Sequence, residues 1–91
     1  MKHIFIINPV SGHGRSSKLV PWIQEYFKNR EDEYQIHMTQ GKGHASELAS
    51  QYTINDDVTV YACGGDGTAY EVLNGIQKDV PMAVIPSGTG N

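Results

Sequence analysis

The chain carries a single cysteine, Cys63, so no internal disulfide can form and no cysteine-based zinc site exists. Its four histidines, His3, His13, His37 and His44, show no paired ligand spacing. Positive charge is not in excess. Seven Lys and Arg against ten Asp and Glu leave a net charge of −3, which argues against a nucleic-acid binder. Long hydrophobic runs are also missing. The N-terminal apolar stretch is only Ile4 to Ile7, too short for a signal peptide or a membrane span. No repeat, linker or low-complexity tract interrupts the 91 residues, which suffice for one domain at most. The composition points to a cytoplasmic α/β domain.

What is present is alternation. Residues 3–8 (HIFIIN), 33–39 (EYQIHMT), 57–63 (DVTVYAC) and 81–85 (PMAVI) read as strands rich in β-branched residues. In the second, Tyr34, Ile36 and Met38 share one face, the period of a half-buried edge strand. Between the strands lie helix-period stripes: Leu19, Trp22, Ile23, Tyr26 and Phe27; Ala45, Leu48, Ala49 and Tyr52; Ala69, Val72, Leu73 and Ile76. Pro21 leaves the start of the first helix open. The order βαβαβαβ predicts a Rossmann-like, three-layer α/β domain with a four-stranded parallel sheet and right-handed crossovers. A strand order of 2-1-3-4 would place the ligand crevice between strands 1 and 3, outside their C-terminal ends.

Glycine collects after strands 1, 3 and 4, in NPVSGHGR, GGDGT and PSGTGN. Gly64, Gly65 and Gly67 follow a strand and open a helix. Glycine there lets successive N–H groups converge on an oxygen, and the helix end adds its positive dipole. A tight turn that needs glycine only for its geometry is the bland alternative. Asp66 in the midst of this loop is a turn residue, a general base, or a carboxylate that reaches phosphates through a divalent cation or a water. The bridged reading is favoured, because magnesium is held by one or two carboxylates plus substrate phosphates. Thr68 and Glu71 have capping-box spacing, which sets a structural role for Glu71 against a ligand role. Asn74-Gly75 marks either a helix end or a close backbone approach.

In the first loop, Asn8, Ser11 and Gly12 offer polar groups and N–H donors. Arg15 suits bidentate phosphate pairing, or is a solvated surface residue. Thr39 is a ligand contact or a plain cap, and Lys42 and His44 read as a solvated loop. No G-x-x-x-x-G-K-[ST] is present, and the dinucleotide pattern appears only as two near misses at residues 12–17 and 41–46.

Taken together, NPVSG (8–12), GGDGTAYEVLNG (64–75) and IPSGTGN (85–91) resemble the catalytic domain of the diacylglycerol kinase family, which includes bacterial lipid kinases and sphingosine kinases. NAD kinases of the same superfamily share GGDGT. The resemblance spans the whole chain and implies several properties. The γ-phosphate of ATP passes to a lipid hydroxyl such as that of diacylglycerol, with Mg2+. Residues 1–91 form the N-terminal nucleotide-binding domain, and a second, β-rich domain supplies the lipid pocket and general base. Asn8, Ser11, Gly12, Thr39, Gly64, Gly65, Asp66, Gly67, Thr68 and Thr89 line the ATP site, with Arg15 and Glu71 beside them. Asp66 bridges to metal and phosphate, and Asn91 matches the Asn of the family's GTxND. The expected parent is a cytoplasmic enzyme peripheral to the membrane, with possible homo-oligomers and no nucleic-acid partner. The 91 residues are expected to be truncated and inactive alone. Rival readings are an NAD kinase-like phosphotransferase and a non-catalytic nucleotide-binding module.

Overall fold

Alternate residues of the first strand go to opposite sides of a sheet. Ile4 and Ile6 pack with Val58, Val60 and Ala62, under Ala45, Leu48, Ala49 and Val72. Phe5 and Ile7 pack with Cys63, under Ile23 and Phe27. This period-two division is what a strand buried on both faces requires. A computed structural model of the chain describes residues 1–86.

The strands are β1 (Lys2–Ile7), β2 (Glu33–Met38), β3 (Val58–Gly64) and β4 (Met82–Pro86), and the helices are α1 (Leu19–Phe27), α2 (His44–Ala49) and α3 (Asp66–Gly75). All pairs are parallel and the sheet order is β2-β1-β3-β4, as the glycine placement suggested. α1 covers one face; α2 and α3 cover the other. β2 is the edge strand that its alternation predicts, with Tyr34 and Ile36 half-buried, but Met38, expected on the same face with them, is exposed.

Register matters most for function. Ile7 is level with Met38 and Cys63, and Cys63 with Ile85. The next residues, Asn8, Thr39, Gly64 and Pro86, therefore form one row at the sheet's C-terminal edge, Gly64 and Pro86 being the last paired residues of β3 and β4. Two bonds hold that row: Asn8 donates its N–H to the Cys63 carbonyl (3.1 Å), and Thr39 donates to the Ile7 carbonyl (2.8 Å).

One open point is settled and two expectations about helix faces are corrected. The first helix is split into a 3-10 turn at Arg15–Lys18 and α1 proper, which puts Pro21 in the first α-turn, where its missing N–H costs nothing. Trp22 and Tyr26 lie outside the core and stack on each other, with the Arg30 guanidinium 4.1 Å over the Tyr26 ring. Leu73 is exposed as well.

Candidate functional site

The loops after β1 and β3 meet at Gly64. A Cβ built there would stand 2.6 Å from Thr68 Oγ1 and 3.0 Å from Ser11 Oγ. Ordinary non-bonded carbon contacts are longer. Gly64 is thus a packing glycine that lets the first loop, β3 and α3 close on one another. It juxtaposes the Ser11 and Thr68 hydroxyls, and Thr68 is buried.

Gly65 and Gly67 are of another kind. Gly65 has φ −90 and ψ −166, an extended backbone open to any residue. Gly67 lies in the first turn of α3. Among the described residues, a Cβ on either would meet nothing within 4 Å. Neither conformation nor packing calls for glycine, and glycine in a helix costs about 1 kcal/mol relative to Ala. The remaining physical reason is clearance above the loop.

The same end of α3 lacks a cap. Gly65 occupies the N-cap and supplies no side-chain hydrogen bond. A helix start leaves its first N–H groups without intrahelical partners, and those of Asp66, Gly67 and Thr68 find no acceptor among the described residues. The capping-box reading of Thr68 and Glu71 is therefore corrected. Thr68 is the third helical residue, and the Glu71 carboxylate instead accepts the Gly43 N–H at 3.0 Å. A capping box does exist elsewhere, between Thr53 and Asp56.

In the first loop, Gly12, His13 and Gly14 have φ of 62, 58 and 89, three successive left-handed residues. Ser11, Gly14, Arg15 and Ser16 donate their N–H groups to turns within the loop. The N–H groups of Gly12 and His13 find no protein acceptor among the described residues. Asn8 Oδ1 accepts the Val10 N–H at 3.1 Å, which folds the loop's entry. The two glycine loops thus present unpaired N–H groups on either side of the Gly64 contact, an arrangement suited to an anion.

Asp66 is exposed in the first turn of α3, where the dipole favours a negative charge. Among the described residues no group of three His, Cys, Asp or Glu converges anywhere. The donor set fits a hard cation held by phosphate oxygens and one carboxylate, and does not fit a cage made by protein alone.

The predicted set is therefore gathered in large part. Asn8, Ser11, Gly12, Thr39, Gly64, Gly65, Asp66, Gly67 and Thr68 lie along the C-terminal edge of β1, β2 and β3. Arg15 opens the 3-10 turn and lines a groove of about 460 Å3 with Lys18, Leu19, Trp22 and Ile85, on the α1 side. Glu71 is one turn further along α3. Thr89 and Asn91 lie outside the described residues. Missed by sequence reasoning was the segment 40–43, read as a plain solvated loop; its Gly-Lys-Gly signal was visible, its tie to Glu71 was not.

Comparisons with known proteins bear on the family. Residues 2–91 match the sequence profile described as "Diacylglycerol kinase catalytic domain". The chain is 38% identical over 100 residues to sphingoid long-chain bases kinase 1 of Arabidopsis thaliana, covering 99% of this chain and 13% of that protein. It is 33% identical over 89 residues to the diacylglycerol kinase of Bacillus subtilis (strain 168), covering 94% of this chain and 29% of that one. A crystal structure of a diacylglycerol kinase from Bacillus anthracis str. Sterne aligns with a TM-score of 0.67 at 30% identity, over 97% of this chain and 34% of that one. The chain spans about a third or less of these relatives' length. With the profile matched from Lys2 onward and the parallel 2-1-3-4 sheet carrying its glycine loops at one edge, the chain belongs to the diacylglycerol kinase catalytic-domain family.

Proposed function

We propose that this chain is the N-terminal, ATP-binding domain of a lipid kinase that transfers the ATP γ-phosphate to a lipid hydroxyl such as that of diacylglycerol. The observation that carries the reading is the pair Gly65 and Gly67. Both stand at a helix start whose N-cap residue gives no side-chain cap, and a Cβ on either meets none of the described residues within 4 Å. An anion brought onto the N–H groups of that turn explains both glycines.

Phosphoryl transfer asks a protein chiefly for positioning and charge stabilisation. The N–H groups of Gly12, His13 and the first turn of α3 take the phosphate oxygens. Ser11, Thr39 and Thr68 close the row with hydroxyls, Asn8 shapes the first loop, and Arg15 adds charge at its exit. Mg2+, when bound, neutralises phosphate charge, and Asp66 holds it directly or through a water. The acceptor lipid and the general base belong to a second, β-rich domain, so the 91 residues bind nucleotide without turning it over. Contact with the bilayer is peripheral, through the lipid acceptor. No helix among the described residues is long and apolar enough to cross a membrane.

Titration of the 15N-labelled chain with Mg–ATP tests this. The amide signals of Gly12, His13, Gly65, Asp66, Gly67 and Thr68 are expected to shift together and saturate. Asp66→Asn is expected to lose the magnesium-dependent part of the affinity. Absence of saturable shifts at those amides would refute the reading.

A further inference from the structure

Glu71 lies one turn beyond Thr68 on α3, but its carboxylate serves a different helix. Oε2 accepts the N–H of Gly43, 28 residues away in sequence, at 3.0 Å. Gly43 is the N-cap of α2, is left-handed with φ 85, and receives no cap from a side chain of its own. A carboxylate from α3 thus supplies the acceptor that the start of α2 lacks.

The segment between β2 and α2 is held at three points. Thr39 N–H bonds the Ile7 carbonyl (2.8 Å), Gln40 N–H bonds His44 Nδ1 (2.9 Å), and Gly43 N–H bonds Glu71. The first ties the segment to β1 and the second is internal. The third reaches the helix whose first turn is the phosphate loop. At the far end of α3 the same two helices are locked again. The Ser46 carbonyl and hydroxyl oxygens occupy the place of a Gly75 Cβ, and Gln77 Nε2 donates to the Ser50 carbonyl at 2.9 Å. α2 is thus joined from its N-cap to its C-cap to the C-terminal half of α3 and the residue just beyond it.

We infer that Glu71 is a positioning residue for the nucleotide: through the Gly43 N–H it fixes the segment after β2 to the helix after β3, so that the two flanks of the phosphate row keep one separation when an anion enters. The inference rests on the nucleotide reading above. It runs against simple electrostatics. A carboxylate about one turn from a polyphosphate repels it, so its removal should tighten binding by Coulomb's law. A positioning role requires the opposite.

Calorimetric titration of Mg–ATP into the wild-type chain, Glu71→Ala, Glu71→Asp and Glu71→Gln separates the two, with amide hydrogen exchange at Gly43 followed in parallel and circular dichroism reporting the fold. Ala removes the acceptor, and Asp keeps the charge but loses reach. Both are expected to weaken affinity by about tenfold and to speed Gly43 exchange. Gln loses the charge but keeps a carbonyl acceptor, and is expected to bind within about twofold of wild type. Ala or Asp binding as tightly as wild type, Gln as weak as Ala, or Gly43 exchange unchanged in Ala would each overturn the inference. A wild-type chain that does not bind Mg–ATP would overturn the nucleotide reading first and the inference with it, and is distinguishable because Gly43 exchange would still respond to Glu71→Ala.

Discussion

Gly64 and Thr68 touch where a side chain on residue 64 would begin: Thr68 Oγ1 is 2.6 Å from the position of a Gly64 Cβ. That contact, with Ser11 on its other side, welds the first loop to the start of α3. Gly64→Ala forces three buried elements apart. Overpacking of this kind costs about 1–3 kcal/mol, so the urea midpoint is expected to fall accordingly. An unchanged midpoint would show that the loops have slack.

Gly67→Ala should behave in the reverse way. Its Cβ enters open space in a helical turn, so stability should hold or rise by up to about 1 kcal/mol. On the proposed nucleotide reading, Mg–ATP affinity should drop by about tenfold, roughly 1.4 kcal/mol, because the methyl would stand where the phosphates approach. Paired melting and titration measurements check this, and a variant that is both stable and fully competent would contradict the clearance argument.

Gly75→Ala sets two local rules against each other. Helix propensity favours Ala by about 1 kcal/mol. The Ser46 backbone carbonyl, however, stands where the methyl must go. Backbone yields less readily than a side-chain tip, so net destabilisation of about 1–3 kcal/mol is expected in chemical denaturation.

His37 donates to or accepts from the Tyr52 hydroxyl at 2.8 Å, which links β2 to the segment after α2. Burial chiefly, then the nearby His44 and Lys2, holds its imidazole below the usual 6.5. The folded state therefore resists a proton that the unfolded chain accepts. Its contribution is present above about pH 6.5 and is lost as pH falls through the folded value. Denaturation curves between pH 7.5 and 5 should show a smaller acid loss in His37→Gln than in wild type.

Cys63 is fully buried, and burial pushes its thiol up to about 12 from an ordinary 9.0. The thiol should resist alkylation at pH 8 until the chain unfolds. In the unfolded chain it ionises near 9, so stability falls as pH rises from there toward 12. Cys63→Ala should flatten that alkaline limb, and labelling of the native protein at the rate of a free thiol would refute the burial argument.

The sheet was readable because its signals are local. Ile4 and Ile6 against Phe5 and Ile7, the edge alternation of Tyr34 and Ile36, and glycines after successive strands all follow from single-strand periodicity. Helix faces were less readable. Trp22 and Tyr26 sit one residue, about 100°, from Ile23 and Phe27, and a broad apolar stripe admits both pairs. Only the surface α1 lies on selects Ile23 and Phe27. The same ambiguity let Leu73 pass for a core residue beside Val72.

The sequence alone determined the element order, the two-sided core and the placing of glycine loops at strand ends, because hydrophobic period and backbone freedom act within a few residues. Tertiary structure decided which glycines are packed and which stand clear of the described residues, since only neighbours outside the local turn distinguish Gly64 from Gly67. It also decided the fate of Glu71. Three residues from Thr68 it could close a local capping box, yet the packing of α2 on α3 brings the Gly43 N–H within reach, and that unpaired donor takes the carboxylate.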